Sequence, residues 1–371
     1  MIYADYAATA PLSERVCETL CRVSRDIFGN PSSAHSAGRA AAALVDRARE
    51  QTAALLGCSP DEIVFTSGGT EADNHALRFA ERKTVLTSSI EHPAVLNAAR
   101  KMASRVCLAH PDADGRVSAG RIADLLREVP ETALVSLMYA NNETGVIQPV
   151  REAADAAHAA GALFHCDAVQ GTGHCMPTVR ELDCDLLSVS GHKFHAPKGI
   201  GALYIHKRLA GQVPPLLYGG GQQGGLRSGT LPVPLIAAFG EACAEAAEVM
   251  CAEDARVRRL RDAMADELLA LPGSLRIGAG EALPGILNIA FAGTYAENLM
   301  LLCDLRGVCL SAGSACHAGT DTPSHVLEAM GVPEEYRSSA IRISIGRFTS
   351  AEDAAEIAAV VRECVALARE G

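Results

Sequence analysis

Between residues 62 and 190, short apolar, β-branched runs alternate with helical stretches, and this alternation constrains the fold more than any other feature. Strand-like runs occupy 62–66, 85–87, 133–139, 162–167 and 186–190. Helical patterns over 94–102, 122–127 and 151–160 separate most of them, the last ending at Gly161, a good helix stop. The pattern predicts right-handed crossovers and a mostly parallel sheet covered on both faces. Ligands of such sheets bind where strands end and loops begin. The loops 67–74, 90–93, 140–145, 167–170 and 190–193 all follow strand-like runs, so their side chains are expected to converge.

The flanks extend this reading. Residues 5–11 form an extended entry segment, 30–33 a turn, and Ser36 is expected to cap an Ala-rich helix ending near Gly57. Residues 219–225 are a glycine-dense loop before Arg227-Ser228-Gly229-Thr230. A long helix, 237–271, ends at Pro272-Gly273, after which shorter strands and helices follow; the last element is a helix over 350–368. The expected division is a large domain over 12–250 and a smaller α+β domain made of 1–11 and 251–371.

With 371 residues and 49% hydrophobic content, the chain is long enough for a large core and two domains. A formal charge of -11 argues against nucleic acid or an anionic membrane as partner. No apolar run reaches the length of a membrane span, and Met1-Ile2-Tyr3-Ala4-Asp5-Tyr6 lacks the pattern of a leader, so a cytoplasmic protein is expected. The thirteen cysteines are scattered and odd in number, without a Cys-x-x-Cys pair. That argues against a disulfide framework and a zinc knuckle, and most are expected to fill the core. Neither Cys17 and Cys21 nor His165-Cys166 and His174-Cys175 builds a four-ligand set, so no resident metal is expected.

The apolar run 186–190 leads into Ser190-Gly191-His192-Lys193, and the run 162–167 ends in Asp167. A lysine at a buried strand end favours its neutral amine, the form that condenses with a carbonyl. A lysine paired with a carboxylate is what pyridoxal phosphate needs, the carboxylate keeping the pyridine nitrogen protonated. Ser67-Gly68-Gly69-Thr70 opens a helix after a strand, a place where backbone N–H groups cradle phosphate. A lone loop lysine or glycine turn has no such role in most proteins; the setting of both gives them weight.

Further motifs complete the pattern: Asp5-Tyr6-Ala7-Ala8-Thr9, Gly29-Asn30-Pro31-Ser32-Ser33, Ser67 to Asn74, Glu91-His92 and Asn141-Asn142-Glu143-Thr144-Gly145. Asp167-Ala168-Val169-Gln170, Arg227-Ser228-Gly229-Thr230, Ser314-Ala315-Cys316 and Ile341-Arg342-Ile343-Ser344 follow in order. With these, nearly the whole chain resembles the cysteine desulfurases of the NifS/IscS type, pyridoxal-phosphate enzymes of the class V aminotransferase group. The resemblance implies fold type I of the PLP-dependent transferases, with a seven-stranded-type sheet, and a homodimer.

It also implies roles. Lys193 would hold the cofactor as a Schiff base and move the Cα proton; Asp167 would pair with the pyridinium and Gln170 with the phenolic oxygen. His92 would stack on the ring and serve as an acid–base group. Gly69, Thr70, Ser190 and His192 would bind the phosphate, joined by Thr230 from the other subunit. Asn142 and Arg342 would hold the substrate carboxylate, Arg342 through a bidentate contact. Cys316, in a small-residue loop, would take sulfur from L-cysteine as a persulfide, leaving alanine; that persulfide could ligate iron transiently during cluster hand-off. The sulfur would pass to an acceptor such as an iron–sulfur scaffold, or to thio-modification.

Two features depart from the family pattern. The chain ends 55 residues after Cys316, without the longer tail that docks the scaffold in housekeeping members, and His317 stands where many relatives have Ser or Thr. The competing readings are a selenocysteine lyase, a non-catalytic regulatory subunit of the same fold, and a plain transaminase, which would leave Cys316 without a task.

Overall fold

The computed structural model describes residues 1–312 and 324–370. In chain order it forms β1 (Ile2–Tyr3), α1 (Glu14–Asp26), α2 (Ser36–Leu56), β2 (Ile63–Thr66), α3 (Gly69–Arg78), β3 (Thr84–Ser88), α4 (Pro93–Met102) and β4 (Arg105–Ala109). There follow α5 (Ala119–Glu128), β5 (Thr132–Met138), α6 (Val150–Ala159), β6 (Leu163–Asp167), α7 (Val179–Leu182), β7 (Leu186–Ser190) and β8 (Gly201–Ile205). The long α8 (Val233–Leu269) leads to β9 (Ser274–Ile277), β10 (Ile286–Phe291), α9 (Ala296–Asp304), β11 (Val308–Cys309) and β12 (Ser311–Ala312). After the undescribed stretch come α10 (His325–Ala329), α11 (Glu334–Arg337), β13 (Ile341–Ser344) and α12 (Ala351–Glu370).

The main sheet has seven strands in the order β2-β8-β7-β6-β5-β3-β4. From β7 to β4 every neighbouring pair is parallel; β8 runs antiparallel to both β7 and β2. The alternation of side chains divides the strands between two apolar layers. Phe65, Leu86, Val135, Phe164, Leu187 and Tyr204 meet the layer of α2, α6 and α8. Val64, Val85, Leu134, Leu186 and Leu203 meet Ala72, Ala76 and Leu77 of α3 and Val95, Ala98 and Ala99 of α4. This is the mostly parallel α/β sheet that the alternating pattern predicts.

A second, antiparallel sheet of four strands, β12-β13-β10-β9, has its own core. Leu287, Ile289, Phe291, Ile341 and Ile343 of its strands pack on Met264 and Leu268 of α8, Leu299 of α9 and Val361 of α12. The helix α8 therefore serves both cores. Its first half lies so close to α2 that a Cβ on Gly240 would sit 2.5 Å from the Ala48 Cα. Phe239, one residue earlier, meets Phe65 and Phe194 edge-on at 6.1 and 5.5 Å between ring centres. Each such pair contributes about 1 kcal/mol beyond burial, and together they seat the segment that carries Lys193.

Several expectations need correction. Ser36 is the first residue of α2, not its cap: His35 has the extended backbone, and its Nδ1 accepts from the Gly38 N–H. Gly57, at φ 71°, ends that helix as expected. The long helix begins at Val233, four residues before the predicted start. Strands β4 and β8 had no sequence prediction; β4 is a partly exposed edge, and β8 hides behind the glycines 199 and 201.

The cysteines also differ from expectation. Cys166, Cys184, Cys243, Cys303 and Cys364 are buried fillers, but Cys17 and Cys21 are exposed. Cys175 and Cys251, 76 residues apart, form a disulfide with their Cα atoms 5.1 Å apart. No spacing rule reveals that pair, because α8 brings it together only when it crosses the loop after β6. Among the described residues no helix is long and apolar enough to cross a membrane, and no three His, Cys, Asp or Glu gather as a metal site.

Candidate active site

A cavity of about 260 Å³ opens at the ends of β5, β6 and β7 and the start of α3. Gly69, Thr70, His92, Asn142, Asp167, Gln170, Ser190, His192, Lys193 and Arg342 all line it. Ten predicted site residues thus meet in one place. Thr230 is exposed and does not line this cavity, and Cys316 lies outside the described residues. A smaller cavity of about 80 Å³ touches Lys193 and includes His174, Asp254 and Arg347, but not the Gly69-Thr70 turn.

Lys193 closes a short helical turn after β7. Its Nζ donates to the carbonyls of Ala7 and Ala8 at 2.6 and 3.0 Å, so the entry segment of the chain holds the amine in place. Gln170 Nε2 donates to the same Ala7 carbonyl at 2.9 Å. Asp167 ends β6 and is 5% exposed; its Oδ1 accepts from the Val169 N–H at 3.0 Å. Burial pushes its carboxyl up to about 6, opposed by that N–H and by the Lys193 charge.

His92 caps α4, its Nδ1 accepting from the Ala94 N–H at 3.1 Å, which leaves the ring proton on Nε2. Burial, then the charges of Lys193 and His325, bring its imidazole down to about 4. It is therefore a neutral ring at pH 7, suited to stacking and to accepting a proton. His192 is brought down to about 4 by burial and by Lys193 and Lys198.

The end of the cavity beside α3 is built from backbone. Gly68 has φ 147°, and α3 starts at Gly69, so the N–H groups of its first turn have no intrahelical acceptor. A Cβ on Gly69 would lie 2.7 Å from Val169 Cγ2, so a side chain would fill the cradle. Around it, buried Thr9 Oγ1 and His192 Nδ1 have no hydrogen-bond partner. Polar atoms rarely remain so unless a ligand or water completes them. The residues present fit pyridoxal phosphate: a helix start for the phosphate, Asp167 for the ring nitrogen, and Lys193 for the carbonyl.

Arg342, on β13, is 1% exposed. It donates from Nη1 to the Asn142 carbonyl and from Nη2 to Asp5 Oδ1, both at 2.8 Å. Three of its N–H bonds remain, Nε–H among them, and Nε has no partner. A carboxylate in the cavity would meet a guanidinium already aimed by Asp5.

The sequence reading did not single out Asp5, Asp73, Glu91 or His325 as site residues. Asp73 and His325 line the cavity. Glu91 is fully buried beside His92, accepting from Ser88 Oγ at 2.5 Å and the Met138 N–H at 3.0 Å; burial pushes it up to about 8. His325 Nε2 lies 3.1 Å from the Glu91 carbonyl. Asp5, Asp73 and Glu91 stood inside the quoted motifs, and that was the available signal.

The class-V aminotransferase family matches this chain over residues 2–357. The chain belongs to that family. Class-V aminotransferases use pyridoxal phosphate, in agreement with the cavity. The chain is 40% identical over 385 residues to the cysteine desulfurase IscS of Anaeromyxobacter sp. (strain Fw109-5), covering all of this chain and 93% of that protein. It is 39% identical over 380 residues to the mitochondrial cysteine desulfurase of Saccharomyces cerevisiae, covering all of this chain and 76% of the relative. Among solved structures, a NifS-like protein superposes with a TM-score of 0.90 at 35% identity over 99% of both chains. The NifS-like protein of Rickettsia africae gives 0.91 at 32% identity over 98% of this chain and 99% of that one. SspA, solved in complex with cysteine, gives 0.82 at 34% identity over 93% and 99%. This class-V aminotransferase therefore has fold type I of the PLP enzymes.

Proposed function

We propose that the chain is a cysteine desulfurase, converting L-cysteine to L-alanine and carrying the sulfur away as a persulfide on Cys316. The convergence of Lys193, Asp167, His92 and Arg342 on one cavity carries the reading. Full-length relatives named cysteine desulfurases at about 40% identity support it. Pyridoxal phosphate, when bound, supplies an electron sink that weakens the Cα–H and Cβ–Sγ bonds of an amino acid.

The protein's own groups do the rest. Arg342, held by Asp5, binds the α-carboxylate and fixes which end of the substrate faces Lys193. Lys193 Nζ takes the Cα proton and returns it, and neutral His92 accepts the proton of the substrate thiol. Asp167 keeps the ring nitrogen protonated, and the start of α3 neutralises the phosphate. The Cys316 thiolate attacks the substrate sulfur, forming the S–S bond as Cβ–Sγ breaks, and the proton His92 took from the thiol goes to Cβ to complete the methyl of alanine.

The same reading assigns an iron–sulfur scaffold or a similar protein as sulfur acceptor, and a homodimer in which Thr230 reaches the partner's phosphate site. The exposure of Thr230 leaves it available for that contact. A cytoplasmic location belongs to the same reading: ten described cysteines are free thiols, and the Cys175–Cys251 pair would there meet reducing conditions. We place the division of the chain near residue 250, inside α8, with 1–11 joining the C-terminal part.

The test is purified protein with pyridoxal phosphate and L-cysteine, scored for visible absorbance, alanine and sulfide, beside Lys193→Ala and Cys316→Ala. Alanine matched by released sulfur, and loss of turnover in both variants, is the expected result. Cofactor uptake without alanine would overturn the substrate; absence of any visible band would overturn the cofactor and every role above.

A further inference from the structure

Behind Asp167, on the face of the sheet that α3 covers, the apolar layer gives way to polar side chains. Leu134, Leu163 and Leu186 lie at one end of that face, and Ser136, His165 and Ser188 take over toward the cavity. The register sets Ser136 beside His165 and Ser188 beside Asp167. Ser136 Oγ is 2.8 Å from His165 Nδ1, and Ser188 Oγ is 3.0 Å from Nε2. Asp73, reaching down from α3, places its Oδ1 3.7 Å from the same Nε2. Ser136, His165 and Ser188 are 0% exposed and Asp73 is 1% exposed.

Burying four polar side chains costs free energy that leucines at these positions would not. Asp73 Oδ1 has no hydrogen-bond partner, although Asp73 lines the cavity alongside Asp167. Two buried carboxyls that feel each other do not both ionise readily. Asp167 is faced by Lys193 from the turn after β7 and accepts the Val169 N–H. Asp73 has neither, and burial and the Asp167 charge both favour its neutral form, with Glu91 adding a smaller push in the same direction. His165, kept neutral by burial, offers no countercharge.

We propose that Asp73, packed over His165, is a positioning residue that keeps the single proton of the carboxyl pair, leaving Asp167 ionised for the pyridine nitrogen of the cofactor. The assignment rests on the cofactor reading above. It makes α3 serve both ends of the cofactor: its first turn meets the phosphate, and Asp73, one turn on, governs the ring.

Asp73→Asn copies a neutral carboxyl, and Asp73→Leu removes it. Pyridoxal phosphate affinity by equilibrium dialysis and the absorbance of the bound cofactor from pH 6 to 10 are read on wild type and both variants. Asp73→Asn is expected within about two-fold of wild-type affinity with the same pH midpoint, and Asp73→Leu at least ten-fold weaker with a displaced midpoint. A leucine variant with unchanged affinity and midpoint, or an asparagine variant as impaired as leucine, would overturn the assignment. Should Asp73→Leu not fold, infrared difference spectroscopy at pH 7 decides. Wild type minus Asp73→Asn should contain a protonated-carboxyl band, and its absence is fatal. A wild-type chain that takes up no pyridoxal phosphate would overturn the cofactor reading itself; uptake with no difference among variants would sink only the role of Asp73.

Discussion

Asp5 grips Arg342 through a buried ion pair at 2.8 Å, with the arginine side chain 2% and the aspartate 19% exposed. Removing one partner of a buried pair leaves the other uncompensated and free to tilt. Asp5→Asn should therefore raise the KM for cysteine about ten-fold, roughly 1.4 kcal/mol, while kcat changes less, because the carboxylate contact is shared by ground and transition states. Steady-state kinetics on the two proteins checks this. At the other end of the cavity, Gly69→Ala would push a Cβ toward Val169 and crowd the phosphate cradle. A loss of about ten-fold in pyridoxal phosphate affinity is expected by dialysis, with little change in melting temperature.

At the scale of the elements, the alternating run of strands and helices made the sheet legible, and strand ends named the cavity. Asp167 ends an apolar run and Lys193 closes the turn after one, so both could be placed from the pattern, whereas His92 was placed by the family resemblance. The reach of Asp5 to Arg342 could not, since it spans 337 residues and depends on β13 lying beside the entry segment. The polar row beneath α3 was hidden for another reason: serines and a histidine alternating with apolar residues read as ordinary strand. The Cys175–Cys251 bond fastens the loop after β6 to α8, next to the His174–Asp254 hydrogen bond. A closure of this length contributes roughly 4 kcal/mol if chain entropy dominates. Denatured protein should release two further titratable thiols on reduction, and Cys175→Ser should lower the melting temperature under non-reducing conditions only.

The molecule as a whole carries opposed ionisations in its core. His92, His165 and His192 are all brought well below the usual histidine range by burial. The unfolded chain binds their protons first, so their contribution to stability is complete above about pH 6.5 and is lost as pH falls through 6.5 toward 4. Glu91 has the opposite sign: its carboxyl is raised to about 8, so stability falls as pH climbs from about 4.5 through 8. Cofactor-free protein should thus melt highest between these limits, and Glu91→Gln should lessen the alkaline loss, which Asp73 shares, without changing the acid side, in a series of melting curves against pH.

The first nine residues reach across the chain to strands near its end. Ile2 and Tyr3 pair with Val308 and Cys309, Asp5 meets Ser344 and Arg342, and the Ala7 and Ala8 carbonyls hold Lys193. A ribosome makes that segment first, yet its partners on β11 and β13 emerge some three hundred residues later. At about 5–20 residues per second, the opening of the chain waits many seconds without its lodging. Lys193 has its Ala7 and Ala8 anchors about halfway through synthesis, but Arg342 meets Asp5 only near its close, so a nascent chain is unable to begin chemistry early.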